Sequence, residues 1–481
     1  SEVRITDVNA EGLVDIVHAF GDFRFSNSSV TQEIYLNTGS GWQQSTTWTL
    51  PNNFYFLHVE GYGISYPGFG EMMDVNGDGL PDIVQYDKNQ RGFGPGIYLN
   101  NGNGGWDQSV MYTVPAVLVE RQNKYTTYGD FNTDGFIDFA ISERTTDVVN
   151  EVYLNNGTNG WALATNWQTP TIFWELFNSA TDKGVREGDI NGDGLSDFIQ
   201  STDNTQALYA GNPAYPDILS KVAYSEGGNT ELAYTPSTKH TNTKAPFVLQ
   251  TIASATTSDA LGTSITTNYA YDNGYYHKDP TDPRKNAFTG FQRVTTTDAK
   301  GNITKRYFHQ GEGSADGSGQ GEYQDHTHKR GRLYREEVYQ GTSEKLRQTL
   351  YRFDRVDRGN NRSFVFLAHT TNFTFNTDGT HKDTATMYQY DTYARVFKVT
   401  EFAQVIGNED GSFADTTPDN RITTISYAEH SNGIPQSAIS WKLTQANDGT
   451  KVAEARYYYD NLAFGQVTKG DITKEEQWKN P

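Results

Sequence analysis

Four stretches of this chain carry carboxylates and amides at a spacing suited to gripping a hard cation. Three are intact: Asp74-Val-Asn-Gly-Asp-Gly-Leu-Pro-Asp82, Asp130-Phe-Asn-Thr-Asp-Gly-Phe-Ile-Asp138 and Asp189-Ile-Asn-Gly-Asp-Gly-Leu-Ser-Asp197. A fourth is degenerate, Asp7-Val-Asn-Ala-Glu-Gly-Leu-Val-Asp15. Side-chain oxygens fall at loop positions 1, 3, 5 and 9: Asp74, Asn76, Asp78 and Asp82; Asp130, Asn132, Asp134 and Asp138; Asp189, Asn191, Asp193 and Asp197. Position 6 is glycine in every copy, as a tight turn around an ion requires. An all-oxygen set of this kind is chemistry for calcium, with three sites expected. Asp7, Asn9, Glu11 and Asp15 make a further candidate, weakened by Glu11 and Ala10.

The opening D-x-N-x-D-G also begins an EF-hand loop. An EF-hand needs a bidentate Glu at position 12 and helices on both sides. Position 12 here is Gln85, Ile141 or Gln200. Apolar, strand-like residues follow each loop instead: Ile83-Val84, Phe139-Ala140-Ile141, Phe198-Ile199. The EF-hand is therefore excluded, the ninth-position Asp is expected to close each site, and the loops join strands. The competing reading is an Asn/Asp/Gly turn without an ion. Identical ligand positions in three copies favour the cation.

The loops start at residues 7, 74, 130 and 189, a period of roughly 60 residues. Each brings companions: Ile34-Tyr-Leu-Asn37 with Gly41-Trp42, Ile97-Tyr-Leu-Asn100 with Gly105-Trp106, and Val152-Tyr-Leu-Asn155 with Gly160-Trp161. A shortened version, Ala207-Leu-Tyr-Ala210, precedes Gly211-Asn212-Pro213. Short strands and turns at this period read as blades of a β-propeller, with the tryptophans as packing residues between blades. Four blades are few, and the chain opens on Ser1 almost at a loop, so further blades upstream are expected.

Composition supports sheet over helix: Tyr 30 and Phe 26 against Met 4 in 481 residues. No apolar run approaches the length of a membrane helix, and no signal-peptide core opens the chain. The net charge of −20 argues against nucleic acid as a partner. Twelve of the acids lie in the four loops, so much of that charge is site chemistry. With no cysteine, disulfides and thiolate metal sites are excluded. Loops of this kind fill at extracellular calcium concentrations, which favours a secreted or cell-surface setting.

Near residue 213 the acidic loops stop and hairpin signals begin. Lys221-Val-Ala-Tyr-Ser-Glu-Gly-Gly-Asn-Thr-Glu-Leu-Ala-Tyr234 reads as two strands about a Gly-Gly turn. Asp378-Gly379, Asp410-Gly411 and Asp448-Gly449 mark further turns. Tyr271-Asp272, Phe353-Asp354, Tyr390-Asp391 and Tyr459-Asp460 are read as strand ends, the aromatic anchoring one face and the Asp capping the following turn. Two regions are thus expected, residues 1–212 and residues 213–481.

The loops of the first region resemble the FG-GAP/VCBS repeat family. That resemblance implies structural calcium on the side chains above, completed by the position-7 carbonyls of Leu80, Phe136 and Leu195. The second region resembles RHS/YD repeats. Phe288-Thr-Gly-Phe-Gln-Arg-Val-Thr-Thr-Thr-Asp-Ala-Lys-Gly-Asn-Ile-Thr-Lys-Arg-Tyr-Phe-His-Gln310 is similar to the shell region of insecticidal toxin-complex B subunits and virulence-plasmid toxin proteins. The resemblance implies an all-β chain: a partial calcium-binding propeller, then hairpin repeats forming part of a curved sheet or hollow shell. It implies a non-catalytic scaffold of a secreted, bacterial-type toxin-delivery assembly, with other subunits as partners and a client polypeptide enclosed. That family's self-cleaving aspartate site, closing repeat and cargo are not matched before Pro481. The alternative is a surface adhesion or glycan-binding propeller protein.

Enzyme readings are weaker. His326-Thr-His328, with His309 upstream, suggests zinc, but the Gly/Ser-rich stretch from Gly311 to Gly321 favours an exposed loop. Gly311-Glu-Gly-Ser-Ala-Asp-Gly lacks the strand-then-helix context of a phosphate loop. No serine sits in a nucleophile elbow, and no motif isolates a carboxylate pair. No catalytic or cofactor-binding constellation is assigned.

Overall fold

The computed structural model describes residues 2–478 apart from 24–28, 53, 61–63, 68–69, 87–93, 122–125, 145–147, 176–180, 212–217, 242–243, 246, 260, 278–286, 312–325, 360–361, 431 and 434. Among the described residues strands dominate, and the one α-helix is Ala116–Arg121. The chain divides into two compact units, Ser1–Leu219 and Ser220–His277 with Ala287–Pro481.

The first unit holds four successive blades. The loop's ninth residue opens the central strand of each: Asp15–Phe23, Asp82–Gln85, Asp138–Arg144 and Asp197–Ser201. On one side that strand pairs with the strand preceding its loop, Val3–Thr6, Gly70–Met73, Thr126–Gly129 or Val185–Gly188. On the other it pairs with Ser29–Asn37, Gly96–Asn100, Val148–Asn155 or Gln206–Tyr209. All these pairings are antiparallel, so each loop is the connection of a hairpin, as the strand-like residues beyond it required.

The cores lie between blades. Val17 and Ile34 of the first cluster with Ile83, Tyr98 and Trp106 of the second. Val75, Val84 and Ile97 of the second cluster with Phe139 and Ile141 of the third. Phe131, Ala140 and Val152 then pack with partly buried Phe198 of the fourth. A sheet covered on both faces reads as a continuous apolar run, and Ile83-Val84 and Phe139-Ala140-Ile141 are buried throughout. The outermost blades differ. Val14 and Trp42 of the first are 51% and 54% exposed, and Ile190 and Leu208 of the last are each 52% exposed.

Register also corrects the alignment of the shortened fourth motif. Tyr209 lies opposite Phe198 just as Tyr153 lies opposite Phe139, so Gly211, and not Ala210, stands at the Asn37/Asn100/Asn155 position. A Cβ at Gly211 would meet Leu195 Cβ and the Ser196 carbonyl at 2.9 Å, so asparagine does not fit there.

The second unit is a 17-stranded sheet running from Lys221–Ala223 to Ile472–Gln477. Neighbours pair antiparallel, except that Gln466–Val467 lies parallel to Arg421–His430. The expected turns are present. Gly379, Gly411 and Gly449 each donate to a carbonyl three residues back, with φ of 84°, 82° and 86°. The Tyr/Phe-Asp pairs split in two. Asp391 and Asp460 cap turns: Asp391 accepts from the amides of Tyr393 and Arg395, and Asp460 from those of Thr468, Lys469, Gly470 and Asp471. Asp272 and Asp354 are instead inside the strands Ser264–His277 and Glu344–Asp357. Each is matched there to an arginine, Asp272 to Arg293 across the sheet and Asp354 to Arg352 two residues back, so a charge partner replaces the cap.

Candidate metal centres

Each loop is built around its first carboxylate. Asp74 Oδ1 accepts from the amides of Gly77 and Asp78, and Oδ2 from Gly79. Asp189 repeats this pattern with Gly192, Asp193 and Gly194; Asp130 takes Asp134 and Gly135, and Asp7 takes Glu11 and Gly12. Positions 3 and 5 continue inward. Asn76 Oδ1 accepts from Asp78 N at 3.0 Å, and Asp78 Oδ1 from Leu80 N at 2.9 Å.

This winding needs a left-handed backbone at positions 4 and 6. Position 6 is glycine throughout, with φ between 84° and 88°. Position 4 is Gly77 or Gly192 in two loops, but Ala10 (φ 55°) and Thr133 (φ 59°) in the others, a conformation that strains a residue bearing a Cβ.

The ninth-position carboxylates are the most constrained groups. Asp15, Asp82, Asp138 and Asp197 are all 0% exposed. Asp82 Oδ2 accepts from Val75 N at 3.0 Å and Oδ1 from Asn100 N at 2.8 Å. Asp138 does the same with Phe131 N at 2.9 Å and Asn155 N at 2.7 Å. These carboxylates therefore fasten the loop's second residue to the far strand of the blade. Burial pushes both carboxyls up to about 7; the backbone donors oppose it, and the loop's other two aspartates add to it. Asp15, Asp130 and Glu11 are also shifted up, with burial the leading cause.

Two recurring contacts of these loops went unread in the sequence. The tryptophans donate to the position-8 carbonyl of their own loop: Trp106 Nε1 to Pro81 O at 2.8 Å, Trp161 Nε1 to Ile137 O at 2.7 Å, Trp42 Nε1 to Val14 O at 3.3 Å. The asparagine ending the second and third Tyr-Leu-Asn motifs does more. Asn100 Nδ2 donates to Val8 O at 2.9 Å and Asn155 Nδ2 to Val75 O at 2.8 Å, each reaching the second residue of the preceding blade's loop. The constant place of that asparagine was the available signal.

The donor set fits a hard divalent cation in chemistry, being oxygen only with three carboxylates per loop. The degenerate loop adds an observation of its own: Glu11 Oε1 is buried with no hydrogen-bond partner among the described residues. Among the described residues no three His, Cys, Asp or Glu side chains already converge as a metal group. The loop oxygens are turned onto backbone amides, and Asn76 and Asn132 aim Nδ2 at Asp78 and Asp134 Oδ2, both at 2.9 Å.

The histidine group is placed differently. His326 caps the 3-10 turn Thr327–Lys329 and His328 lies within it; the two rings stack with centroids 4.7 Å apart, while His309 is buried against Tyr334. The glycine-rich stretch from residue 312 lies outside the described residues.

Residues 156–311 match the family described as the insecticide toxin TcdB middle/N-terminal region, and residues 74–141 match the FG-GAP-like repeat. The segment 288–310 falls inside the first match, and two of the intact loops inside the second. No curated protein matches the chain. Among solved structures, TcdB2-TccC3 aligns with a TM-score of 0.59 at 13% identity, covering 99% of this chain and 33% of that one. TcdB2-TccC3-TEV aligns with a TM-score of 0.58 at 14% identity, covering 99% and 29%. The chain thus spans about a third of the length of the solved chains it matches, and shares their fold.

Proposed function

We propose that this chain is a non-catalytic scaffold segment of a secreted toxin-delivery assembly. Its blades dock or gate, and its large sheet forms part of a wall enclosing a client polypeptide. The observation that carries this reading is the TcdB middle/N-terminal match, joined to a fold alignment covering 99% of the chain. The partners are other subunits of such an assembly, in keeping with the TcdB2-TccC3 pairing in the matched structures. The mechanism is containment. A continuous hydrogen-bonded sheet presents its amides to neighbouring strands and leaves them little to exchange with an unfolded client.

Calcium belongs to the same reading. Asp74, Asn76, Asp78 and Asp82, and their equivalents in the other loops, are the side chains that hold it. Bound calcium supplies compensation for three clustered carboxylates, one of them fully buried, in each blade. Its role is to hold blade hairpins in shape under extracellular conditions.

The test is low-resolution electron microscopy of the native particle containing this chain, with its mass measured alongside. A closed hollow particle heavier than this chain supports the reading. An open or elongated particle near the chain mass removes containment and promotes adhesion at a surface.

A further inference from the structure

The calcium loops are joined by a continuous buried run of hydrogen bonds. Starting in the third blade, Phe131 N and Asn155 N both donate to Asp138. The Asn155 side chain then crosses to the second blade and donates to Val75 O at 2.8 Å. The same Val75 donates its amide to Asp82, which also holds Asn100 N. The Asn100 side chain crosses in turn to Val8 O of the first blade at 2.9 Å, and Val8 N donates to Asp15. Asn155 and Asn100 are 1% and 4% exposed, and the three carboxylates are fully buried.

We infer that the loops at 7–15, 74–82 and 130–138 form one coupled cation-binding system, with Asn155 and Asn100 as the positioning residues that carry the coupling. This rests on the calcium reading above and adds to it how the sites act on one another. A cation seated in loop 130–138 fixes Asp138 and, through it, the Asn155 backbone. That sets the Asn155 amide against the Val75–Asn76 peptide, which links positions 2 and 3 of the neighbouring loop. The run passes through the covalent backbone of Asn155 and of Val75, so a shift at one end is carried mechanically to the other, and burial keeps water from loosening its hydrogen bonds. Filling one loop therefore pre-arranges the next, the condition for positive coupling.

The run has defined ends. Gly211 replaces the asparagine in the fourth blade, and there the Ser196 hydroxyl, 3.4 Å from Asp130 O, makes a hydrogen bond to the preceding loop in place of a crossing amide. At the other end Asn37 Nδ2 bonds Val14 O of its own loop. Asn37 thus has the local contacts of Asn100 and Asn155, its backbone amide on Asp15 and its Oδ1 on Gly39 N, without a crossing bond. It is the internal control.

The experiment is calcium calorimetry on the intact protein, comparing the parent with Asp134→Ala, Asn155→Ala, Asn155→Ser, Asn37→Ala and the Asp134→Ala/Asn155→Ala double variant. Coupling predicts that Asp134→Ala removes one site and weakens those at 74–82 and 7–15 about five-fold or more, the lower end of ordinary coupling between sites, while the loop at 189–197, outside the run, is unaffected. With Asn155 already replaced, Asp134→Ala removes its site and leaves the others unchanged. Asn155→Ser, which keeps a polar residue too short to cross, behaves as Asn155→Ala; Asn37→Ala leaves the coupling intact. If Asp134→Ala in the parent background leaves the other affinities unchanged, the loops are independent and the coupling is wrong, while the calcium reading stands. A parent that takes up no calcium overturns both.

Discussion

The densest charge network of the second unit makes a prediction that pH can test. Glu337, in the strand Leu333–Gln340, has a side chain only 4% exposed. It accepts from Arg335 Nε and Lys345 Nζ, each at 3.0 Å, and from the hydroxyls of Tyr307 at 3.1 Å and Tyr339 at 3.0 Å. Burial alone would raise its pKa. The hydrogen bonds and charges of Arg335 and Lys345 outweigh it and hold the carboxyl down at about 2, against an ordinary 4.5. The carboxylate therefore favours the fold by about 3 kcal/mol at neutral pH, at 1.36 kcal/mol per unit. Since the folded value is the depressed one, that contribution is complete above about pH 4.5 and is lost as pH falls through about 2.

Glu337→Gln removes the titrating charge and keeps the shape. Urea unfolding, followed by hydrogen exchange of the Leu333–Gln340 amides, should show the variant less stable by about 3 kcal/mol at pH 7 and by about 1.5 kcal/mol at pH 3. All other acids titrate in both proteins, so the difference isolates this one. A difference that stays flat between pH 7 and pH 3 refutes the argument. A difference near zero at pH 7 means that the desolvation of three charges cancels their attraction.

Three further outcomes follow from the first unit. Asp78→Ala and Asp134→Ala should lower the melting temperature only when calcium is present; a parent that melts identically with calcium and with chelator sinks the structural-ion reading. At a hundredfold excess over Kd each lost site removes about 2.7 kcal/mol. Trp106→Ala should cost about 3–5 kcal/mol, because that indole is 7% exposed, packs edge-on to Trp48 at 5.5 Å and donates to Pro81 O. Trp42→Ala, at the equivalent but 54% exposed position, should cost only about 1 kcal/mol; equal costs would mean the first blade's outer face is covered. Ala10→Gly should raise the unfolding free energy by about 1 kcal/mol, and the denaturation midpoint with it, since Ala10 sits at φ 55° where its counterparts in two loops are glycine. A fall in the midpoint would show that Ala10 is not strained.

Much of the fold was legible because the blades and hairpins signal locally. Position 6 glycine, the apolar pair after each loop and the Asp-Gly turns each report on a few residues of backbone, and the structure holds them where they were read. What was not legible depends on partners far along the chain. Asp272 is the example: its partner Arg293 lies on the neighbouring strand 21 residues on, and nothing beside it in sequence separates it from Asp460, which runs of backbone amides make a cap. The shift of one residue at Gly211 was hidden for the same reason, since only the pairing of Tyr209 with Phe198 fixes it.

The candidate metal centres divide along the same line. Positions 1, 3 and 5 act within a nine-residue loop and could be read from spacing. The ninth residue has a second task that spacing conceals: a carboxylate buried to 0% must be satisfied from the backbone, and its donors come from 7 residues upstream and 17 or 18 residues downstream. The same aspartate thus closes the loop and fastens the blade. The asparagine that supplies one of those amides also spends its side chain on a carbonyl 80 or 92 residues away. Losing the ninth-position carboxylate would therefore strand two buried backbone amides as well as remove a candidate ligand, so Asp82→Ala and Asp138→Ala should destabilise even in chelator. That separates them from Asp78→Ala and Asp134→Ala, whose cost should vanish when calcium is removed.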